Sequence, residues 1–420
     1  MQKKANSVSS EDVEKGQPVL NIGLIGHVDH GKTTLTEAMS GRWTDTHSEE
    51  MRRGITIKLG YANTIIRKFP DISDHTAYTV DDEKKGDKSP VPIKKISFVD
   101  APGHESLMAT MLSGATIMDG AILMISATEE CPQPQTREHL MALEIMDVDK
   151  IIVVQNKIDL VSPEEAKENY NSIKEFLSTT KYKDAPIVPV SAQHRVNIDL
   201  LLETIDKTFE VPERDRTLEP IMFVARSFDI NRPGLSPSEI NGGVLGGSLK
   251  QGVFKVDDEI EIKPGRRIEE NNQIVYYPIK TKIKELYSGS EKIEEAFPGG
   301  SIGVSTFLDP GVVKSDSLIG SLVGHHGKLP ETLHELSLEI HLLDRVVGSK
   351  SDIEVEKIKP GETLMLNVNA SSTVGQVTKS DGKKAHFKLK LPVCAEPGAR
   401  VTISRMIGSR FRLIGYGVII

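Results

Sequence analysis

Several residue types that mark whole classes of protein are scarce in this sequence. It has only two cysteines in 420 residues, Cys131 and Cys394, and they lie far apart. No disulfide framework is indicated, and a reducing cytoplasm is the simplest setting. No apolar run approaches the ~18 residues that a bilayer crossing needs, so we expect no membrane partner. The net charge of −8 argues against a protein that coats nucleic acid indiscriminately.

The length and the pattern of the chain predict three folded domains. Residues 1–18 are polar, lack an apolar signal core and are expected to form a disordered tail. Predicted strands and helices alternate through 19–211, which indicates an α/β fold with a mainly parallel, doubly wound sheet. From 218 onward, short alternating runs are separated by Gly, Pro and Asp turns. This pattern favours two all-β barrel domains, at 218–325 and 326–420.

Residues 26–33 read G-H-V-D-H-G-K-T, which matches the phosphate-binding P-loop pattern G-x-x-x-x-G-K-[ST]. An apolar run precedes the motif and a predicted helix follows it, so backbone N–H groups and the helix N-terminus would face a phosphate. We expect Lys32 to reach the β- and γ-phosphates and the Thr33 hydroxyl to lie on Mg²⁺. For Asp29, a solvent-facing position is favoured over a part in Mg²⁺ binding. The predicted nucleotide contacts in this region are Asp29, His30, Gly31, Lys32, Thr33 and Thr34.

A second loop, D-A-P-G-H at 100–104, follows another apolar strand. Asp100 is placed to hold a Mg²⁺ water, as a Walker-B acid does, and Gly103 to give its N–H to a γ-phosphate. His104 is the candidate that orients the attacking water; a loop histidine with only local hydrogen bonds is the alternative. Thr56 lies in the polar stretch 43–57, which we expect to be mobile. It is the candidate that closes onto Mg²⁺ and the γ-phosphate. From that stretch alone, an ordinary loop or strand threonine would be the favoured interpretation. The predicted catalytic set is His104, Thr56 and Lys32, and the predicted Mg²⁺ set is Thr33, Thr56 and Asp100.

Two further loops select the base. In N-K-I-D at 156–159, the Asp159 carboxylate can accept hydrogen bonds from the N1–H and the exocyclic amine of guanine, a pair that adenine does not offer. Asn156 is expected to tie this loop toward the P-loop, and the stem of Lys157 to cover the ring face. The S-A-Q triplet at 191–193 completes the base pocket if the Ala192 N–H donates to guanine O6. With every motif in this order and at a strand end, the sequence predicts GTP binding, with Ser191, Ala192 and Gln193 as the last contacts.

Taken together, residues 26–33, 53–57 and 100–104 resemble a translational GTPase. More specific stretches resemble the gamma subunit of archaeal and eukaryotic translation initiation factor 2, and the length suggests the archaeal form. These stretches are W-T-D-T-H-S-E-E at 43–50, I-K-L-G-Y-A at 57–62, C-P-Q-P-Q-T-R-E-H-L at 131–140, R-S-F-D-I-N-R-P-G at 226–234, G-G-V-L-G-G-S at 242–248 and R-F-R-L-I-G-Y-G at 410–417.

The resemblance implies a GTP-binding domain with two β-barrels, GTP or GDP with Mg²⁺ as cofactors, and GTP hydrolysis to GDP as a conformational switch. It implies a heterotrimer with alpha and beta subunits that brings initiator methionyl-tRNA to the small ribosomal subunit. It also implies that the aminoacylated tRNA end lies between the GTP domain and the first barrel. Tyr61 is the candidate to pack against the terminal adenosine, with a core tyrosine as an equally open alternative, and Arg226 and Phe228 are candidates on the barrel side.

One departure from the family pattern concerns zinc. Family members often carry zinc-binding cysteines in the insertion that corresponds to 69–95, and this sequence has none there. We therefore expect no zinc, and a hairpin or loose loop in that place.

Three other functions remain as alternatives. One is a related tRNA-carrying elongation GTPase, against which the 43–50 stretch and the carboxyl-terminal run argue. Another is a GTPase subunit that couples hydrolysis to sulfate activation. The third is a GTP-bound scaffold without hydrolysis.

Overall fold

The computed structural model describes residues 10–44, 50, 56–104, 107–232, 234–236, 239–270, 273–346 and 353–420. Among these residues, none of the helices combines the length and the apolar character that a membrane crossing requires.

The first part of the chain forms a seven-stranded sheet with the strand order β3-β2-β4-β1-β5-β6-β7. Neighbours from β4 to β7 pair in parallel, while β2 runs antiparallel to both β3 and β4. The strands are β1 Leu20–Gly26, β2 Gly60–Lys68, β3 Tyr78–Thr79, β4 Val91–Asp100, β5 Gly120–Ser126, β6 Ile151–Asn156 and β7 Ile187–Pro189. The helices are α1 Ser10–Lys15, α2 Lys32–Ser40, α3 Met108–Ala115, α4 Pro134–Ile145, α5 Pro163–Ser178 and α6 Ile198–Thr208.

The central strands read as unbroken apolar runs because helices cover both faces of the sheet. In β5, Ile122 belongs to the core cluster on one face, and Leu123 belongs to the cluster on the other. The parallel strands bring their carboxyl ends to one edge, where β1 ends at Gly26, β4 at Asp100 and β6 at Asn156. The loops that carry the nucleotide motifs therefore meet along this edge.

The rest of the described chain is almost entirely β. The first barrel has the order β11-β16-β8-β9-β15-β12-β13 and is closed by the pairing of β11 with β12. The second is a closed barrel with the order β17-β20-β19-β18-β21-β22. The bounds are β8 Ile221–Phe228, β9 Val244–Gln251, β10 Phe254–Lys255, β11 Glu259–Glu270, β12 Gln273–Ser288, β13 Glu291–Ile293, β14 Glu295–Ala296, β15 Ile302–Thr306, a short helix α7 Pro310–Val313, β16 Leu322–His325, β17 Thr332–Leu342, β18 Thr363–Val368, β19 Ser371–Ser380, β20 Lys384–Cys394, β21 Arg400–Ile407 and β22 Arg410–Ile419. The predicted fold class is confirmed, and the exact domain limits stay a prediction.

Both barrels pack against the GTP-binding domain. On the first barrel, the Phe297 carbonyl accepts a hydrogen bond from Gln17 Nε2 at 2.6 Å. On the second barrel, Asn367 Nδ2 donates to the Ala109 carbonyl on α3 at 3.1 Å. In each of these contacts a buried side chain is hydrogen-bonded to the backbone of the other domain. The bonds therefore fix the position of each barrel relative to the first domain.

The expectation of a disordered tail over 1–18 is wrong for its second half. Residues 1–9 lie outside the described residues, but Ser10–Lys15 form helix α1 and Gln17 is buried. The Glu14 carbonyl accepts a hydrogen bond from Lys95 Nζ at 2.9 Å. The polar sequence of residues 10–18 gives no local sign that they are ordered, because their partners come from distant parts of the chain.

The insertion at 69–95 is also shorter than predicted. Its last five residues already belong to β4, which begins at Val91. The remainder forms a 3₁₀ turn at His75–Ala77 and the short strand β3. Phe69 and Tyr78 are buried, so the insertion packs onto the domain by its apolar side chains.

Candidate nucleotide site

The P-loop forms a tight cradle around the ammonium of Lys32. Gly31 has a φ of 90°, and a Cβ there would lie 2.3 Å from Asn156 Nδ2, so only glycine fits. The Lys32 side chain is buried and donates to the carbonyls of Gly26 and His27, at 3.0 and 2.9 Å. These contacts hold the ammonium inside the loop, at the N-terminus of α2, where a phosphate would meet both the positive group and the helix dipole.

Three predicted magnesium residues come together beside this cradle. The Thr33 hydroxyl donates to Asp100 Oδ2 at 2.8 Å, and Thr56 Oγ1 lies 3.4 Å from Thr33 Oγ1. Both Thr56 and Asp100 are buried. Hydroxyl and carboxylate oxygens are the hard ligands that Mg²⁺ prefers, and this ion is often held by one carboxylate together with substrate phosphates. The residues therefore fit a Mg²⁺ ion.

The described residues contain no group of three or more His, Cys, Asp or Glu side chains arranged for a metal. An ion at the site above would thus depend on the hydroxyls and on Asp100, together with water and the nucleotide. The expectation that zinc is absent stays a prediction.

The loop after β4 places Gly103 directly against the P-loop. A Cβ at Gly103 would lie 2.5 Å from the Gly26 carbonyl oxygen and 2.6 Å from Lys32 Nζ. The backbone of this loop therefore approaches the ammonium as closely as only a glycine allows. The next residue, His104, is exposed at the mouth of the cradle, as is Asp29.

Asn156 joins the base-selecting loops to the P-loop. Its Nδ2 donates to the His30 carbonyl at 2.8 Å, and its Oδ1 accepts from the Ala192 N–H at 3.0 Å. The residue is buried, so neither partner has water as a substitute. The predicted role of Asn156 matches this geometry, whereas the Ala192 N–H, predicted to meet guanine O6, already has an acceptor in Asn156.

Asp159 lies three residues after Asn156 on the same loop, and 25% of its side chain is exposed. The Ser191 hydroxyl beside it holds the pKa of Asp159 below its ordinary value, so the group is a carboxylate at neutral pH. His194 Nε2 lies 3.6 Å from the carboxylate. Lys157 has a left-handed backbone, with φ 65°, and Gln193 is exposed nearby. The acceptor that guanine recognition requires is thus present and ionised.

His30 has a different place from the one that a nucleotide ligand would take. Its ring is buried, with Nδ1 2.8 Å from the Met124 carbonyl and Nε2 3.3 Å from Glu129 Oε2. Burial lowers the pKa of His30, and the carbonyl contact requires the proton on Nδ1. The side chain therefore anchors the P-loop to β5, and only the His30 backbone can face a phosphate. Thr34 is half-buried in the first turn of α2.

Of the three candidates for the tRNA end, Arg226 and Phe228 line a cleft at the junction of the GTP domain and the first barrel, whereas Tyr61 packs against a buried hydrophobic cluster. A cleft of about 540 Å³ has Arg226 and Phe228 on its barrel side and Lys58 on the other. Phe228 is exposed, and it offers a ring face to solvent. Tyr61 is half-buried, and its hydroxyl has no hydrogen-bond partner within the described part of the chain. Burial raises the pKa of Tyr61, so the hydroxyl keeps its proton.

Two contacts at the site were missed by sequence reasoning. The Thr44 hydroxyl donates to Asp100 Oδ2 at 2.7 Å. Glu50 is buried, and its Oε1 accepts from the N–H groups of Ile57 and Lys58, at 3.1 and 2.9 Å. Both residues belong to the 43–50 stretch that carried the family resemblance, so the signal was present without a role attached. The other residues of the expected mobile loop, 45–49 and 51–55, lie outside the described residues.

Two family models match the chain. "Elongation factor Tu GTP binding domain" matches residues 17–211, and "Initiation factor eIF2 gamma, C terminal" matches residues 334–419. The translation initiation factor 2 subunit gamma of Methanococcus maripaludis is 57% identical over 407 residues, which cover 96% of this chain and 99% of that protein. The chain belongs to the translation initiation factor 2 gamma-subunit family. The same subunit of Methanocaldococcus jannaschii is 54% identical over 411 residues, covering 96% of this chain and 98% of that one.

As a member of this family, the protein is a translational GTPase of initiation and binds guanine nucleotide. The cradle, the N-K-I-D loop and the Asp100 loop are the parts of the chain that such an activity needs.

Solved structures show the same fold. A bacterial selenocysteine-specific elongation factor has a TM-score of 0.73 at 23% identity; the match covers 96% of this chain, which spans 58% of the length of that protein. The elongation factor SelB of Methanococcus maripaludis, in complex with the GTP analogue GppNHp, has a TM-score of 0.69 at 24% identity, with 96% and 79% covered. At these identities the likeness concerns the arrangement of the domains alone.

Proposed function

We propose that this chain carries initiator methionyl-tRNA to the small ribosomal subunit and uses GTP with Mg²⁺ as its switch. The observation that carries the proposal is a single short segment that contacts both the nucleotide site and the barrel. Thr56 Oγ1 lies 3.4 Å from the P-loop hydroxyl of Thr33, while three residues later the Leu59 carbonyl accepts from Arg226 Nη1 at 3.2 Å. A segment with both contacts can report the state of the nucleotide to the tRNA cleft.

In this proposal Thr33, Thr56 and Asp100 hold Mg²⁺, which when bound neutralises negative charge on the phosphates. Lys32 binds the β- and γ-phosphates from inside the cradle, and the Gly103 N–H faces the γ-phosphate from the opposite side. The carbonyls of Gly26 and His27 hold Lys32 in place, so its ammonium needs little reorganisation at the moment of reaction.

Hydrolysis converts GTP and water to GDP and phosphate. His104, exposed at the mouth of the cradle, orients the attacking water, while Lys32 and Thr56 stabilise the charge that develops on the γ-phosphoryl group. Loss of that group removes the partner of Thr56 and of Gly103, and both loops are then released.

Asp159 selects guanine. Its lowered pKa keeps a double acceptor at the rim of the pocket, which suits the two donors of guanine and leaves the carboxylate unsatisfied by adenine. Asn156 holds this loop in register with the P-loop through the His30 carbonyl. Lys157 and the S-A-Q loop close the sides of the base pocket.

The aminoacylated end of the tRNA occupies the cleft between Lys58 and Phe228. Phe228 offers an exposed aromatic face for a base, and Arg226 offers a guanidinium for phosphate or carbonyl oxygens. Tyr61 is partly buried against a hydrophobic cluster, with Arg226 near its hydroxyl. The proposed partners are the alpha and beta subunits of the factor in a heterotrimer, and the proposed location is the cytoplasm.

Filter binding with the full-length chain and its alpha and beta subunits tests this function. We expect methionine-charged initiator tRNA to be retained more strongly than charged elongator tRNAs in the presence of a non-hydrolysable GTP analogue. Equal retention of both would instead indicate an elongation-type carrier. GTP turnover that rises with ATP and sulfate and ignores tRNA would indicate a sulfate-activation subunit, and neither alternative is favoured by the family.

A further inference from the structure

Asp316 occupies an unusual position in the first barrel. It and Ser315 both have left-handed backbones, with φ values of 59° and 58°. Two consecutive residues with side chains rarely adopt this conformation, and it persists only where the surroundings impose it. The result is that the Asp316 carboxylate, with only 9% of its side chain exposed, is turned toward the GTP domain.

The carboxylate accepts one donor across the domain boundary, from Lys58, and two from β8 of its own barrel, from Arg226 and Ser227. Its Oδ2 accepts from Lys58 Nζ at 2.5 Å, and its Oδ1 accepts from Arg226 Nε at 3.1 Å and from the Ser227 N–H at 3.0 Å. Burial raises the pKa of Asp316, but the donors from Lys58, Ser227 and Arg226 outweigh it and hold the pKa below its ordinary value. A permanent negative charge therefore faces Lys58.

Lys58 lies on the segment that begins at Thr56. Two residues span at most about 7 Å, so a displacement of Thr56 is felt at Lys58. The segment is tied on its other side, because Glu50 Oε1 accepts from the Lys58 N–H at 2.9 Å. Beyond Lys58, the Leu59 carbonyl meets Arg226. Lys58 and Leu59 thus both reach the pair formed by Asp316 and Arg226.

We infer that Asp316 is a positioning residue that receives Lys58 when Thr56 is engaged at the nucleotide, so that the Lys58–Asp316 pair latches the barrel to the nucleotide switch. The inference rests on the proposed function. With the latch closed, Arg226 is held between Asp316 and Leu59 and faces the cleft in one orientation. When Thr56 is released, Lys58 leaves Asp316 and the Leu59 carbonyl leaves Arg226. Arg226 is then held by Asp316 alone, and the cleft loses its shape.

The test uses the full-length chain in four variants: Lys58→Met, Lys58→Arg, Asp316→Asn and the double variant that combines Lys58→Met with Asp316→Asn. The first readout is the affinity for charged initiator tRNA with GDP and with a non-hydrolysable GTP analogue. We expect Lys58→Met and Asp316→Asn each to reduce the ratio of the two affinities by about fivefold or more. The double variant should be no worse than either single one, and Lys58→Arg should retain the ratio.

The second readout does not involve tRNA. In the wild-type protein with the GTP analogue, we expect slow hydrogen exchange at the amides of Ile57 and Lys58, and faster exchange with GDP. Lys58→Met and Asp316→Asn should raise exchange in the analogue-bound form toward the GDP level while leaving the affinity for GDP unchanged. The matched control is Lys250→Met, which removes a half-exposed pair of 2.9 Å with Glu396 far from the nucleotide.

The outcomes separate the latch from the function that it serves. A wild-type protein without nucleotide-dependent tRNA binding would contradict the proposed function, and the exchange data would still decide the latch. The latch is refuted if exchange at 57–58 does not change in the variants, or if they weaken tRNA binding equally with both nucleotides, as a merely structural pair would.

Discussion

The structure predicts that Asn156 sets the relation between the base pocket and the P-loop, and Asn156→Ala is the direct perturbation. The change removes two hydrogen bonds, of 2.8 and 3.0 Å, and leaves the His30 carbonyl and the Ala192 N–H without that partner. Each bond contributes about 1 kcal/mol net, and a buried group left without a partner costs about 1–3 kcal/mol. We expect a loss of roughly 2–4 kcal/mol, shared between the stability of the free protein and the affinity for nucleotide.

In the proposed function both loops contact the nucleotide whatever its phosphate number, so binding of GDP and of GTP should be weakened together, by roughly 5- to 30-fold for about 1–2 kcal/mol. Fluorescent-nucleotide titration measures the affinity, and urea denaturation measures the stability. Asn156→Asp adds a finer test, since it keeps the acceptor for Ala192 but places a carboxylate oxygen against the His30 carbonyl.

Asn169→Ala is the matched control. Asn169 is another asparagine whose amide donates to a backbone carbonyl, that of Glu129 at 2.8 Å in a partly buried contact, but it lies on α5 and outside the nucleotide loops. It should lower stability with little effect on nucleotide affinity. Equal weakening of nucleotide binding by both variants, or a destabilised Asn156→Ala protein with normal affinity, would refute the reasoning.

Three further predictions concern single side chains. Asp159→Asn should exchange guanine for xanthine preference, because an amide can donate to the 2-keto oxygen; competition between GTP and XTP measures it, and unchanged guanine preference would count against the role. His104→Ala should slow single-turnover hydrolysis by roughly tenfold or more while sparing GTP binding, and an unchanged rate would remove its role. Burial lowers the pKa of His139, on α4, to about 3 from an ordinary 6.5. Below pH 6.5 the unfolded chain therefore binds a proton at this residue that the folded chain does not bind. Stability should therefore fall by about 1.4 kcal/mol per pH unit between pH 6.5 and 3, and His139→Gln should remove that slope in urea titrations; a variant with the wild-type slope would show that this histidine is not the source.

Much of the fold could be predicted from the sequence, because many of its strands and helices depend on the local pattern of residues. The apolar run at 120–126 forms β5 over its whole length, since an apolar run between polar turns has few other solutions. Helix α5 likewise has a local signal at its start, where Ser162 and Glu165 form a capping box before and within its first turn. The order of α1 and of Gln17 could not be read in this way, because α1 is held by Lys95, 81 residues away, and Gln17 by Phe297, 280 residues away.

The site shows the same division. The P-loop, Asp100 and Asn156 were found because each motif occupies a fixed place in a strand–loop–helix unit. The prediction that His30 contacts the nucleotide stays a prediction, and the sequence did not reveal that its ring anchors the P-loop to β5, because the partner Met124 belongs to another strand. Asp316 had no motif at all. Its importance rests on a left-handed backbone and on Lys58, neither of which the sequence reveals.

The nucleotide dependence of initiator tRNA binding is the most direct test of the account. With the full-length chain and its alpha and beta subunits, the affinity for methionine-charged initiator tRNA is measured with GDP and with a non-hydrolysable GTP analogue. The account predicts tighter binding with the analogue, by roughly the 5- to 150-fold that coupling between two sites typically gives. Equal affinity with the two nucleotides would contradict it.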